Sequence, residues 1–115
     1  MFAAYLILVI STLVVNLAAA AADFSRARFV LANSAEVRVP DGWLPWLGAL
    51  KAAGAVGLLL GLLWRPIGIA AASGLVLFFL AAIATHVRAR VLYNLAFPGF
   101  YLALAVASLI LIAER

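Results

Sequence analysis

Apolar residues in this chain form four long blocks that are separated by short polar stretches. A membrane-spanning helix needs about 20 mostly apolar residues, because the hydrocarbon core is roughly 30 Å thick and each residue adds about 1.5 Å. Four windows meet this requirement, at residues 2–22, 44–64, 67–85 and 92–113. The pattern predicts an all-α fold, an integral membrane four-helix bundle, with residues 1–115 as a single transmembrane domain.

The breaks between the blocks fit this topology. Arg65-Pro66 predicts a tight turn, since proline is tolerated in the first turn of the following helix. Residues 86–90 form a short polar link, and the one longer connection, residues 23–43, contains a turn signal at residues 39–42. Four spans place both termini on one side of the membrane. We call the opposite side, which holds the two polar connections, the loop face.

Composition supports a lipid environment. The chain is 70% hydrophobic and 10% charged, whereas about a quarter of the residues in a soluble domain are charged. The absence of cysteine excludes disulfides, thiol nucleophiles and iron–sulfur ligation within the chain. One histidine and four acidic residues do not favour a metal site. The net charge of +4 does not indicate nucleic acid, because the cations flank apolar helices and form no stripe.

The first apolar segment also has small residues at 18–22 that resemble a signal-peptide cleavage region. No basic residue precedes the apolar run, and the run is long for a signal peptide, so we expect a retained helix.

Charge distribution predicts the orientation of the chain. Five arginines belong to the loop face: Arg26, Arg28, Arg38, Arg88 and Arg90. The positive-inside rule then places the loop face in the cytoplasm. We therefore expect a multi-pass protein of the cell membrane.

Polar residues within the helices concentrate in one leaflet. Such groups are costly in hydrocarbon and mark helix contacts or function. Asn16 and Asp23 lie toward the end of the first helix, and His86 ends the third. Lys51 and Asn94 lie near the beginnings of the second and fourth helices. Because neighbouring helices are antiparallel, all five residues fall in the loop-face half of the bilayer, which suggests a half-membrane cavity.

Each of these side chains also has an explanation that needs no ligand. Lys51 can extend to the interface, and Asn16 can bond a neighbouring helix. His86 and Arg88 can lie among headgroups, and Asp23 can simply end the first helix. The functional hypothesis rests on their convergence, and its sharpest expectation is that Lys51 and His86 face the bundle interior close together.

Glycines in the second helix predict close helix contacts. Gly57 and Gly61 are four residues apart, and Gly54 lies on a neighbouring turn. Small residues at this spacing let helix backbones approach each other in lipid, within a bundle or between subunits. We accordingly expect a homo-oligomer or assembly with a membrane partner.

Two motifs carry a family resemblance that covers nearly the whole chain. Residues 39–55 resemble the second-helix signature of the DoxX-like family, and so do residues 85–90 at the end of the third helix. A fourth helix entered through Phe97-Pro98 is also similar. The resemblance implies a four-helix membrane protein near the quinone pool, since the family is named after a small subunit associated with a thiosulfate:quinone oxidoreductase.

The motif positions that the resemblance carries over are Lys51, Gly54, His86 and Arg88. The chain departs from the family at Val91, where many relatives have an acidic residue. A proton-handling carboxylate is therefore missing at that position.

Three functions follow as hypotheses. The first is an accessory subunit of a membrane redox system, in which Lys51 and His86 bond the carbonyl oxygens of a quinone. The second is a self-contained intramembrane enzyme of the isomerase or epoxide-opening type, in which Asp23 or His86 acts as acid or base and Lys51 polarises an oxygen. The third is a structural or assembly factor.

The candidate site follows from these hypotheses, and whether it is catalytic stays open. The candidate catalytic residues are Lys51, His86 and Asp23. The candidate ligand-binding residues are Asn16, Gly54, Arg88, Asn94 and Tyr101. The expected partners are the lipid bilayer, a lipophilic small molecule, and a second copy or a redox protein.

Overall fold

The computed structural model describes residues 2–114, apart from the side chain of Asp41. It contains α1 (Phe2–Phe24), α2 (Arg28–Glu36), α3 (Leu44–Gly61), α4 (Arg65–Arg88) and α5 (Ala96–Glu114). Within that range α1, α3, α4 and α5 are long and apolar enough to cross a membrane. The predicted all-α membrane fold is confirmed. The terminal residues 1 and 115 of the expected domain lie outside the described residues.

The four long helices form a ring in which every neighbour is antiparallel. α1 packs against α3 and α5, and α4 packs against the same two helices. The bundle is 40 Å long, which matches a bilayer of roughly 40–45 Å with its headgroup regions. The core lies on the bundle axis and includes Val9, Leu58, Ala72, Leu75, Ala105 and Ile112.

The longer connection is more ordered than the sequence predicts. Residues 23–43 hold the nine-residue helix α2 and a 3-10 turn at Asp41–Trp43. A helix of nine residues is too short to register as a span, although Leu31, Ala32 and Ala35 favour helix formation. α4 also continues to Arg88, so the link to α5 consists of residues 89–95.

Close packing between α3 and α4 depends on glycine. A Cβ atom added to Gly61 would overlap the backbone of Gly68, so the two helices touch backbone to backbone. One turn earlier, a Cβ on Gly57 would lie 2.6 Å from the side chain of Ala71. The glycines therefore serve a contact within the chain, and their spacing no longer supports contact between subunits.

Hydrogen bonds hold α1 to α5. The hydroxyl groups of Thr12 and Ser108 are 2.8 Å apart, and the Tyr101 hydroxyl donates to the carbonyl of Val15 at 3.2 Å.

A further hydrogen bond joins the beginning of α4 to the end of α5, where the Arg65 Nε donates to the carbonyl of Ile112 at 3.1 Å. This contact places a cation at the negative end of the α5 dipole.

Three helices end on the loop face with an arginine in the left-handed backbone conformation. Arg26, Arg38 and Arg90 have φ angles of 54°, 64° and 60°. After each arginine, the next amide bonds a carbonyl five residues back, namely Ala27 to Ala22, Val39 to Ser34 and Val91 to His86. Glycine usually occupies this position, because other residues are strained there.

We expect Gly61→Ala to lower the free energy of unfolding by about 1–3 kcal/mol, because the added methyl group forces α3 away from α4. Thermal unfolding in mild detergent measures the loss. Gly99→Ala is the matched control, since a Cβ at Gly99 meets nothing within 4 Å. Equal unfolding midpoints for the two variants would contradict the backbone contact.

Candidate functional site

A cavity of about 1290 Å³ begins beneath α2 at the loop-face end of the bundle and continues along α3 and α4. All five helices contribute to its wall, which is mostly apolar and carries a few polar side chains. This composition is typical of sites for small molecules, where a few polar groups fix the orientation of an apolar ligand. The polar side chains of the wall lie in the loop-face half of the bundle, as the sequence predicts, but the apolar part of the wall continues past this half to Ile67.

An ion pair forms the polar centre of the cavity. The Lys51 Nζ lies 2.8 Å from the Asp23 Oδ2, and the two side chains are only 15% and 4% exposed. Asp23 is in the last turn of α1, and Lys51 is in the second turn of α3. Lys51 therefore does more than extend to the interface, because its ammonium group is turned toward a buried carboxylate.

Gly48 makes room for this ion pair. A Cβ atom at Gly48 would lie 3.1 Å from the Cβ of Asp23 and 3.3 Å from the carbonyl oxygen of Ala20. The absence of a side chain at this position lets α1 approach α3 closely. The carboxylate and the ammonium group therefore meet directly.

Aromatic rings line the wall next to the ion pair. The Lys51 Nζ is 5.4 Å from the centre of the Phe78 ring, which is within cation–π range. Phe79 contacts both Phe78 and Tyr101, with ring centres 5.0 and 5.1 Å apart. Phe97 stacks on Tyr101 at 5.8 Å. These rings offer flat apolar surfaces beside a fixed positive charge.

His86 contributes a second nitrogen to the cavity. Its side chain is buried, and its Nδ1 lies 2.9 Å from the carbonyl oxygen of Ala82. A carbonyl only accepts hydrogen bonds, so Nδ1 is the donor, and Nε2 is the ring nitrogen left for another partner. Among the described residues, Nε2 has no hydrogen-bond partner. His86 and Lys51 line the same cavity.

Helix α2 forms the roof of the cavity and is fastened to the link between α4 and α5. The Asn94 Nδ2 donates to the Asn33 Oδ1 at 3.0 Å. The Tyr93 hydroxyl donates to both carboxylate oxygens of Glu36, at 2.7 and 2.8 Å. This hydrogen bond raises the pKa of Tyr93, with smaller contributions from desolvation and from the charge of Glu36.

Asn94 also offers an unsatisfied acceptor. Its Oδ1 is buried and has no partner within residues 2–114, although Asn94 lines the cavity. Buried polar atoms normally have hydrogen-bond partners, so an unsatisfied one marks a place for a water molecule or a ligand donor.

The structure brings together six of the eight candidate site residues. The cavity wall contains Asp23, Lys51, Gly54, His86, Asn94 and Tyr101. Asn16 is fully buried outside the cavity, where its Nδ2 donates to the carbonyl of Thr12 at 2.9 Å. Arg88 is exposed at the end of α4 and also lies outside the cavity wall.

The sequence interpretation missed the residues of the roof. Asn33 and Glu36 are three residues apart on α2, a spacing that places both on one helix face. The adjacent pair of Tyr93 and Asn94 supplies their partners. The helical spacing of Asn33 and Glu36 was the only sequence signal for this contact. Their partners can be identified only from the folded chain.

The fold and the cavity define a small multi-pass membrane protein with a candidate site for a lipophilic molecule. The sequence model of the DoxX-like family matches residues 7–108, so the chain belongs to that family. The match includes every residue of the cavity wall. No curated protein and no solved structure matches the chain.

We expect Asp23→Asn and Lys51→Met each to lower the free energy of unfolding by up to about 3–5 kcal/mol, because each leaves one buried charge unpaired. The double variant removes both charges. Its free energy of unfolding should therefore fall by less than the sum of the losses in the two single variants. A double-mutant cycle in a denaturing detergent titration measures this difference. Strict additivity would show that the ion pair does not hold α1 to α3.

We expect Tyr93→Phe to accelerate amide hydrogen exchange in α2 and leave exchange in α4 unchanged, because only the roof loses a hydrogen bond. The wild-type contact requires a protonated phenol. Since folding raises the pKa of Tyr93, its contribution is fully present below the ordinary pKa of about 10 and is lost as the pH rises through the folded-state pKa. An α2 exchange rate equal to that of the wild type would contradict this fastening.

Proposed function

We propose that the chain binds a lipophilic molecule with carbonyl oxygens, such as a quinone, and serves as an accessory subunit of a redox system in the cell membrane. The observation that supports the proposal is the Lys51 ammonium group, held by Asp23 at the polar centre of a mostly apolar cavity. Membership of the DoxX-like family is consistent with a place near the quinone pool.

The chemistry of the site suits a carbonyl group. A lysine ammonium has three N–H donors, and Asp23 accepts from one of them. Two donors remain for a ligand oxygen. A flat ring beside them would contact Phe78, Phe79 and Tyr101, which line the same cavity. Positive charge held in an apolar environment interacts strongly with a polarised oxygen, because the surrounding dielectric is low.

The accessory role follows from what the chain itself lacks. It contains no cysteine with which to ligate an iron–sulfur cluster. A partner protein would supply the electron-transfer group, and this chain would hold and orient the lipophilic carrier.

A second candidate function is supported by the unpartnered Nε2 of His86. An imidazole nitrogen and a carboxylate in one cavity are suitable groups for proton transfer. This arrangement favours an intramembrane isomerase or an epoxide-opening enzyme. Turnover by the purified chain without a partner would select this candidate. Copurification of a redox enzyme from native membranes would select the accessory subunit.

Titration of the purified protein with a decyl-substituted benzoquinone tests the proposal, and fluorescence reports binding because Trp43 lines the cavity. We expect saturable quenching in the wild type and an affinity about 10-fold to 100-fold lower in the Asp23→Asn/Lys51→Met double variant. This range corresponds to the loss of a hydrogen bond to a charged group, worth about 1.5–3 kcal/mol. The double variant leaves no unpaired charge and is therefore expected to fold.

Arg88→Met is the matched control, because it removes a cation that lies outside the cavity wall. The affinity of this variant for the decyl-substituted benzoquinone should equal that of the wild type. Unchanged affinity in the double variant would exclude the proposed site and favour a structural role, in which the ion pair only holds α1 to α3.

A further inference from the structure

The cavity does not end at its polar centre. Its wall continues along α4 from Thr85 to Ile67, an axial distance of roughly 27 Å at about 1.5 Å per residue. α3 contributes positions as far as Gly57. The far part of the cavity is therefore a groove along the α3–α4 pair, and it reaches toward the opposite membrane surface.

The groove exists because its floor is made of small residues. Ala53, Ala70 and Gly74 line it and are exposed. A Cβ atom added to Gly74 would meet nothing within 4 Å, so the space above it is open. The larger residues Leu50 and Leu77, which are 57% and 68% exposed, also line the groove. The result is an apolar groove open to lipid.

The two ends of this continuous space have different chemistry. The loop-face end carries the Asp23–Lys51 ion pair. It also carries His86, a residue that is 5% exposed and whose Nε2 makes no hydrogen bond to residues 2–114. Beyond Gly54 the wall of the groove is apolar on both helices. A polar end joined to a long apolar groove is complementary to an amphiphile.

We propose that the ligand is an amphiphile with one long hydrocarbon or isoprenoid chain, which reaches the site sideways from the bilayer. Its polar head lies at Lys51 and His86, and its chain lies in the α3–α4 groove. This inference rests on the proposed function. A helix from a second copy would cover the groove but would leave the polar end unfilled, so a chain-bearing ligand fits both parts better.

The contribution of the chain to affinity is modest. Lipid tails are as apolar as the groove, so leaving the bilayer supplies no hydrophobic driving force. The gain in affinity comes from van der Waals contact between the ligand's hydrocarbon chain and the fixed surface of the groove. The entropy lost when that hydrocarbon chain is ordered opposes it. The polar head thus provides most of the affinity, and the groove selects ligands that carry a chain.

Substitution of Gly74 separates the groove from the head site. Gly74→Leu places a side chain in the groove, at a position where an added Cβ meets nothing within 4 Å. Gly99→Leu is the matched control, since it also enters open space but lies outside the cavity wall. Both variants are titrated with a decyl-substituted benzoquinone and with its chain-free analogue, at ligand concentrations expressed per mole of detergent.

In the wild type and in Gly99→Leu, we expect the decyl-substituted quinone to bind roughly three- to tenfold more tightly than its analogue, a difference of the size that packing supplies in lipid. Gly74→Leu should abolish that preference and leave the affinity of the chain-free analogue unchanged. This combination supports the groove as the site of the chain.

Other outcomes overturn the inference in distinguishable ways. If both quinones bind and Gly74→Leu keeps the chain preference, the groove is wrong while the proposed function stands. If Gly99→Leu also loses the preference, the effect is not specific to the groove. If neither quinone binds the wild type, the proposed function fails. If Gly74→Leu instead turns a dimer into a monomer and leaves the chain preference intact, the groove is an interface between two copies.

Discussion

The arrangement of the loop-face half of the molecule depends on one interaction, the ion pair between Asp23 and Lys51. Two charges in a membrane are tolerable when they neutralise each other and gain further hydrogen bonds. The pair fixes the end of α1 against the beginning of α3, and Gly48 lets the backbones approach closely enough for the contact. The cavity exists around this pair because α2 covers it without filling it.

The two halves of the bundle have different tasks. Toward the terminal side, Gly61 meets Gly68, and α3 and α4 touch backbone to backbone. Toward the loop face, aromatic side chains and the ion pair hold the helices around a cavity. Tight packing on the terminal side holds the helices in place. The less densely packed site on the loop face therefore stays ordered.

Helical depth was predictable from the sequence, whereas the direction in which each side chain faces was only partly so. Counting residues from the helix ends placed Lys51 and His86 in the correct leaflet. Asn16 shares a helix face with Asp23, yet it lies seven residues, or about 10 Å, deeper. One helical turn beyond Asn16, α1 is closed against α5 by Thr12 and Ser108. Only the packing of the neighbours shows where the cavity stops. α2 was missed for a different reason, because its nine residues are too few to register as a span.

The arginines at which three helices end are notable for both their backbone conformation and the position of their charge. Arg26, Arg38 and Arg90 adopt a backbone conformation that glycine would reach without strain. Each places a positive charge at the negative end of a helix, and all three lie on the same face of the membrane. The positive-inside rule counts these same charges when a chain is inserted. The three residues at which these helices end are thus also three of the five loop-face arginines on which the predicted orientation depends.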